Sequence, residues 1–566
     1  MSCHLSKYPL WPQQPIEWLL AILFLISPFY LVSSHGGTGF DLPFNITVWL
    51  AATWVITLAV WRFATQSVIV LPRNYLALLA LPVGILLSAA LSGVHDPMDW
   101  LFRIIYIFAG VLFLFGLFQF HIKNTDRLFL LLAVATLLHS LLGLAQLFRP
   151  EFISASVIPR TATPVAIGVF QQVNVMASFL VTGLLICLYL LMRPITTQRV
   201  LLQAFLIVTI TLATYVVVAT GSRIGLLTAL LGLFLLVGCY FSQIKKRPVC
   251  WLITLMMMVI ASWLAQEGLH KTLDKSYRLV GANYADQRLV IYKVSLDVIS
   301  DSPLLGHGIG SFMDKWGRAS ADFHADHPDI EMPSYLGHPH NELLQWSIEG
   351  GIVAVLGILI AAMAIFWFAI KLKKRRAFVY LVLLLPITFH TQVEHPFYIS
   401  SLHWFVWLTI LFVLLNHYTM IRNNQLSMTA SSILKTASLL ILLLGSVFTV
   451  HSLFAQKQLD SYTKQLQQVP QMREALSNPY FKRASEQIVM RISLRNAIAQ
   501  KQQSKILEIA DWLEIQRAIK PELHLYGDLL NAYTALNDET QKCSTAFEGL
   551  RHYPTNKVLK EIVAKC

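Results

Sequence analysis

Gly337-His338-Pro339-His340-Asn341-Glu342-Leu343-Leu344-Gln345-Trp346, followed by Ile348-Glu349-Gly350-Gly351, sets two histidines, a carboxylate and an amide where a long polar segment turns into an apolar run. The run continues to Ile370, long enough for a helix that spans a bilayer, which takes about 20 residues. Polar and ionisable groups are costly at such a boundary, so they point to a site.

Similar apolar runs lie near Ile16 to Val32, Thr47 to Trp61, Tyr75 to Leu91, Leu101 to Phe120, Leu128 to Leu147, Ala166 to Leu191, Leu201 to Ala219, Ile224 to Tyr240 and Trp251 to Ala265. Four more follow, at Glu342 to Ile370, Ala377 to His390, Leu402 to Leu415 and Thr436 to Leu453. Of the 566 residues 55% are hydrophobic and only 13% charged, a balance that ordinary soluble domains do not show. The chain reads as an all-α polytopic membrane protein with about 12–13 transmembrane helices. A few runs fall short of the usual minimum of roughly 17 residues. The first run has no convincing small-residue cleavage site, so it reads as a retained anchor.

The net charge of +13 calls for no nucleic acid. Much of it sits in short loops on alternate sides: Arg62 and Arg73, Lys123 and Arg127, Arg193 and Arg199, Lys245 to Arg247, Lys371 to Arg376, Arg422 and Lys435. The positive-inside rule puts these in the cytoplasm with Lys7 and the N-terminus. The alternate connections are then outside, among them Ser92 to Trp100, Thr220 to Arg223, the large loop 266–339 and Thr391 to Ser400. Residues 1–454 form a transmembrane domain, and an odd number of spans leaves the polar, helix-rich tail 455–566 outside as a helical domain. Its Leu529, Tyr533, Gly549 and Pro554 have offsets like those of one tetratricopeptide-type hairpin. Cys543 and Cys566 in the tail can pair in an oxidising compartment, while Cys187 and Cys239 lie in apolar runs and Cys3 and Cys250 on the inner side.

Cations outside ask for a reason, because the positive-inside bias leaves few there. Arg103, Arg149, Arg160, Arg223, Arg278, Arg288 and Arg318 are outside or near the outer edge. Arg223, in Thr220-Gly221-Ser222-Arg223, stands between two apolar runs, and a guanidinium fork holds phosphate oxygens better than a lysine does. A lone interfacial arginine also snorkels to headgroups, but several beside histidines and carboxylates favour an anion site. Gln172 and Asn174 bring amides that suit sugar hydroxyls, phosphate oxygens or a contact between helices. The glycine run Leu305-Gly306-His307-Gly308-Ile309-Gly310 lacks the strand-turn-helix setting of a dinucleotide fingerprint, which excludes nucleotide binding. His324, Asp326, His327, Asp329 and Glu331 match no metal-ligand spacing and read as solvated loop. Pro339 suits a helix's first turn, which would put His340 at that helix's positive end and keep its ring neutral and able to accept a proton. Glu342, Gln345 and Glu349 follow on one helix face. Glu394-His395-Pro396-Phe397-Tyr398 adds a carboxylate, an imidazole and a phenol to another outer loop.

Through Gln172-Val173-Asn174, Gly221-Ser222-Arg223, Gly306-His307-Gly308-Ile309-Gly310 and, most specifically, His338-Pro339-His340-Asn341-Glu342, the chain resembles the bacterial O-antigen ligase and polymerase superfamily and its PglL-type protein O-oligosaccharyltransferases. The resemblance covers about Phe170 to Tyr398. It implies transfer of a glycan from an undecaprenyl-pyrophosphate carrier to a periplasmic acceptor protein at a Gram-negative inner membrane. It implies no metal and no cofactor. His340 would take the proton of the acceptor hydroxyl, Arg223 and Arg288 would neutralise the pyrophosphate, and Gln172, Asn174 and Tyr398 would orient the donor, with His338 part of the binding site. Ligation to the lipid A core and glycan polymerisation fit the same motifs. A transporter fits the span count, but no internal repeat or broken-helix pair is evident in the sequence.

Overall fold

The computed structural model describes residues 10, 12–32, 34, 36–149, 164–280, 287–333, 335–372, 375–424, 426–464 and 472–566. Cys3, Lys7, Arg160, Lys373 and Lys374 of the sequence argument lie outside them. Among the described residues eight helices are long and apolar enough to cross a membrane: Pro43–Thr65, Pro97–Phe118, Asp126–Phe148, Val173–Leu191, Val200–Ala219, Arg223–Ile244, Glu342–Lys371 and Met428–Ser461. A ninth is reached if Pro248–Leu264 and Gln266–Asp274, bent by 66°, count as one. Pro15–Phe29, Ala80–Ser92, Ala377–His390 and Ser401–Leu415 are apolar but shorter. Every apolar run of the sequence coincides with one of these helices, and the protein is an all-α multi-pass membrane protein.

The chain divides into two compact units. The first comprises Met1–Tyr75, Ile107–Ser276 and Met363–Glu474. Its centre is Val173–Leu191, 89% of whose apolar window is buried and which packs against the helices beginning at Asp126, Val200, Arg223 and Arg375. Gly183 permits one of these close approaches, since a Cβ there would lie 1.8 Å from Thr136 Oγ1. The ends expected in the cytoplasm are tied by buried ion pairs: Arg127 holds Glu17 at 2.9 and 2.6 Å, and Arg193 holds Asp126 at 2.9 Å. Unforeseen from sequence, Val68–Pro72 and Thr419–Asn423 pair as a short antiparallel ladder with Val70 opposite Ile421. Gln119 closes its edge by bonding both the N–H and the C=O of Val70.

The second unit comprises Leu76–Tyr106, Tyr277–Ala362 and Ala475–Cys566. The segment read as a polar loop is largely helical there. Val290, Val294 and Val298 of Gln287–Asp301 pack with Phe312 and Trp316 of Phe312–Asp326 and with Ile348. The tail forms Lys482–Ala499, Gln503–Ile519, Leu523–Leu536, Glu539–Leu550 and Lys557–Val563. Leu529 and Tyr533 are buried in its core, and Gly549 lets its helix approach Leu559 and Tyr526. Cys543 and Cys566 are joined as a disulfide. Asp314 accepts from His552 at 3.0 Å and from Arg318 at 2.8 Å, Arg318 reaches Glu548 at 3.3 Å, and Arg483 pairs with Asp96.

Candidate active site

In the second unit the helix of the opening motif begins at Glu342, not at Pro339. Asn341 is the reason: its Oδ1 accepts from Leu344 N at 3.1 Å and its C=O from Gln345 N at 3.0 Å, the geometry of a cap. Pro339 and His340 therefore precede the helix, and His340 takes a left-handed backbone with φ 52, which histidine tolerates better than most residues but which still marks a constrained position. Its N–H donates to His338 Nδ1 at 3.2 Å, which places the ring proton of His338 on Nε2. The two rings meet edge to face at 4.6 Å. Tyr292 OH donates to the His340 carbonyl at 3.4 Å. Arg288 is the second residue of Gln287–Asp301, the helix that carries Tyr292, and is half-buried.

Glu342–Lys371 is broken at Gly351, with φ 59 and ψ −159. The glycine run fills the break: His307 N donates to Ile348 O at 2.8 Å, Gly308 N to Glu349 O at 3.0 Å, and Ile352 N to Pro303 O at 3.0 Å. Backbone groups freed near a membrane need such partners. Gly306, Gly308 and Gly310 have φ of 75, 98 and 86, and a Cβ on Gly306 would lie 2.6 Å from Gly351 N. The run is thus a clamp on the helix that follows His340. Glu349, just before the break, is buried and accepts from Arg103 at 2.6 Å and from Gln345 at 2.7 Å, while Arg103 also meets Asp99 at 2.7 Å. The sequence flagged Arg103 as an outer cation and Glu349 as a face residue without joining them. His324 and the residues after it to Glu331 are mostly exposed, with His327 stacked on Phe323 at 4.4 Å.

Gln172, Asn174, Arg223 and Tyr398 belong to the first unit. Gln146, missed in the sequence because it sits in an apolar run, accepts from Ile167 N and Gly168 N at 2.9 and 2.8 Å and donates to Gly168 O at 3.1 Å. It fixes the turn that leads to Gln171, left-handed at φ 55, and so to Gln172 at the head of Val173–Leu191. Gln172 Nε2 donates to Glu394 Oε2 at 3.1 Å. Asn174 Oδ1 accepts from Ser222 Oγ at 2.8 Å, and Ser222 caps Arg223–Ile244 through Gly225 N at 3.2 Å. Asn174 is therefore one hydrogen bond from the residue preceding Arg223. Tyr398 rides on the turn that follows Glu394, its ring 5.3 Å from that of His395. Beneath this turn Ser178 Oγ bonds His390 Nδ1 at 2.8 Å and His403 Nε2 at 3.2 Å, and His403 Nδ1 bonds Ser400 Oγ at 2.9 Å. This buried network, also unforeseen, ties the helices around the Glu394 turn to Val173–Leu191.

Three family models match. The model described as O-Antigen ligase takes in residues 208–359, and the one described as Virulence factor membrane-bound polymerase, C-terminal takes in residues 378–563. The Protein glycosylation ligase model matches residues 166–191, the segment that holds Gln172 and Asn174. No curated protein matches the chain. The first match contains Arg223, Arg288, His338 and His340, and the second contains Tyr398 and most of the tail. The chain carries the domains of the O-antigen ligase and polymerase superfamily and is a membrane enzyme that transfers a glycan.

Proposed function

We propose that the protein transfers a preassembled glycan from undecaprenyl-pyrophosphate to serine or threonine hydroxyls of periplasmic proteins, working in the inner membrane. The observation that carries this choice of acceptor is the match of residues 166–191 to the protein glycosylation ligases. His340 is the general base, in keeping with its constrained backbone, its contact with a His338 ring that accepts, and the capped helix start beside it. As the acceptor oxygen bonds to the anomeric carbon, the bond from that carbon to the pyrophosphate oxygen breaks. Arg223 and Arg288 stabilise the charge that develops on the leaving group. Gln172, Asn174 and Tyr398 orient the donor, and His338 holds His340.

The longer match to O-Antigen ligase favours a second reading, transfer to the lipid A core or to a growing glycan. Comparing glycoproteins and lipopolysaccharide in a deletion strain separates the two. Loss of glycan from proteins with lipopolysaccharide unchanged supports the first, and the reverse supports the second. Solute flux in proteoliposomes without glycan transfer would overturn both.

A further inference from the structure

We propose that the helix Gln266–Asp274 lies in the headgroup layer of the outer leaflet, with the lipid surface as its partner, and braces the turn that carries Arg223 at the depth of the donor's pyrophosphate. The placement of the helix stands on its own observations, and its purpose rests on the glycan-transfer reading. Leu252, Leu255, Met256, Val259 and Trp263 are exposed on one face of Pro248–Leu264, the face of a span that meets lipid. The 17 residues of that helix cover about 25 Å at 1.5 Å each, close to the hydrocarbon thickness. A tryptophan at the end of a span marks the boundary between hydrocarbon and headgroups. Two residues after Trp263, at Ala265, the chain bends by 66° into Gln266–Asp274, so the second helix leaves the direction of the span at that boundary.

The second helix has three sides. Ala265 and Gly268, buried, and Thr272, half-buried, share the side packed on the protein. Leu269 and Leu273 stand one turn apart along the edge of that side and are 36% and 53% exposed. Glu267, His270, Lys271 and Asp274 are exposed on the remaining arc, with Lys271 opposite the two leucines. An apolar edge beside a lipid-facing span has the acyl boundary to enter, while the charged arc stays among headgroups and water. Gly268 fixes the seat of the helix. A Cβ on it would lie 1.9 Å from Val218 O and 2.9 Å from Ala219 Cα, so backbone meets backbone where Val200–Ala219 ends. There Thr220 Oγ1 accepts from Ser222 N at 3.3 Å, and Arg223 is the next residue. The anchor of a lipid-linked pyrophosphate keeps it at headgroup depth. A helix resting in the same layer and seated against this turn holds the arginine at that depth.

The test uses the full chain in nanodiscs of phosphatidylethanolamine and phosphatidylglycerol. Cys3, Cys187, Cys239 and Cys250 are replaced by Ala, the Cys543–Cys566 disulfide is kept, and a spin label is attached in turn at Leu269→Cys, Leu273→Cys, Lys271→Cys and Asp274→Cys. Labels at 269 and 273 should collide with lipid-soluble oxygen, and those at 271 and 274 with a water-soluble nickel chelate. Nickel contact at all four would take the helix off the bilayer and leave its leucines to a protein partner. Oxygen contact at all four would make it the end of a crossing. Either result overturns the proposal. For the brace, Leu269→Glu with Leu273→Glu, and separately Gly268→Ala, should raise the KM of an undecaprenyl-linked donor about tenfold, the loss of one charge-assisted contact. A short-chain, water-soluble donor assayed in detergent should show no change, and Lys271→Glu, on the water side, should leave both donors as in the native chain. An unchanged KM for the long donor, or an equal rise with both donors, would overturn the brace. Thermal unfolding reports the folding of each variant, and the leucine pair and Gly268→Ala test the brace independently of each other. The labels are read without any transfer, so a native chain that transfers no glycan overturns the function reading and not the placement of the helix.

Discussion

His340 carries its proposed role from a left-handed position ahead of its helix, φ 52, with the N–H spent on His338. Changing it to Ala should abolish transfer while expression and donor binding persist, since neither depends on the ring. Near-normal transfer would remove His340 from the base role. The left-handed backbone adds a strain of about 1–2 kcal/mol to an alanine there, so its melting temperature belongs beside its rate. Arg223→Lys and Arg288→Lys keep the charge and lose the planar fork, and each should cut transfer substantially in a donor-dependent assay. Full activity in both would place the pyrophosphate elsewhere. The histidines and arginines proposed for the site stand out in the sequence because polar groups at the end of an apolar run violate a strong composition rule. The partnership of Arg103 with Glu349 was not, because a separation of 246 residues leaves no local signal. Gln146 was hidden for a related reason: its partners are backbone groups of a turn that the sequence does not announce.

Helices were the most readable elements, because a run of apolar residues near the bilayer thickness has few other uses. The break in Glu342–Lys371 was not readable, as it depends on the distant segment 303–308 supplying hydrogen bonds to Ile348, Glu349 and Ile352. Gly351→Ala should lower both thermal stability and transfer, since its Cβ would lie 2.4 Å from Leu304 O and its φ is 59. Gly238→Ala is the contrasting case: nothing lies within 4 Å of its Cβ, so replacing a helix glycine should be neutral or stabilise by about 0.5–1 kcal/mol. Equal melting temperatures for the two variants would remove the clamp from the account. The tail's contact with Phe312–Asp326 gives a pH prediction. Burial raises the Asp314 carboxyl, but hydrogen bonds from His552 and Arg318 outweigh it and hold the group well below the usual carboxylate range. A depressed carboxyl stabilises fully above its unfolded value, and that contribution is lost as pH falls from there through the folded value. Asp314→Asn should therefore cost about 1–3 kcal/mol at neutral pH, because an amide gives up the charge-assisted bonds from Arg318 and His552, and should flatten the acid limb of a melting curve taken from neutral pH downward. An unchanged acid limb would contradict this role for Asp314.

At the scale of the whole chain, the described residues hold eight full-length helices, one bent pair and four shorter apolar helices, which would make an odd number of crossings if each spans the bilayer. We propose that the basic loops lie inside and that an odd number of crossings leaves the tail outside, a placement that the Cys543–Cys566 disulfide suits if that compartment is oxidising. A reporter fused to the tail should be active in the periplasm, Cys543 and Cys566 should label with an impermeant thiol reagent only after reduction, and Cys250 should resist it in intact spheroplasts. A tail reporter active only in the cytoplasm would show that one short helix does not cross. The central claim is the transfer reaction, and reconstitution tests it most directly: the purified chain, an undecaprenyl-pyrophosphate-linked glycan and a candidate acceptor protein, read by mass spectrometry of the acceptor. The account predicts a mass gain of one whole glycan on a serine or threonine, lost with His340→Ala. Glycan that appears only on lipid A core or on longer lipid-linked chains, with every tested acceptor protein unmodified, would contradict it.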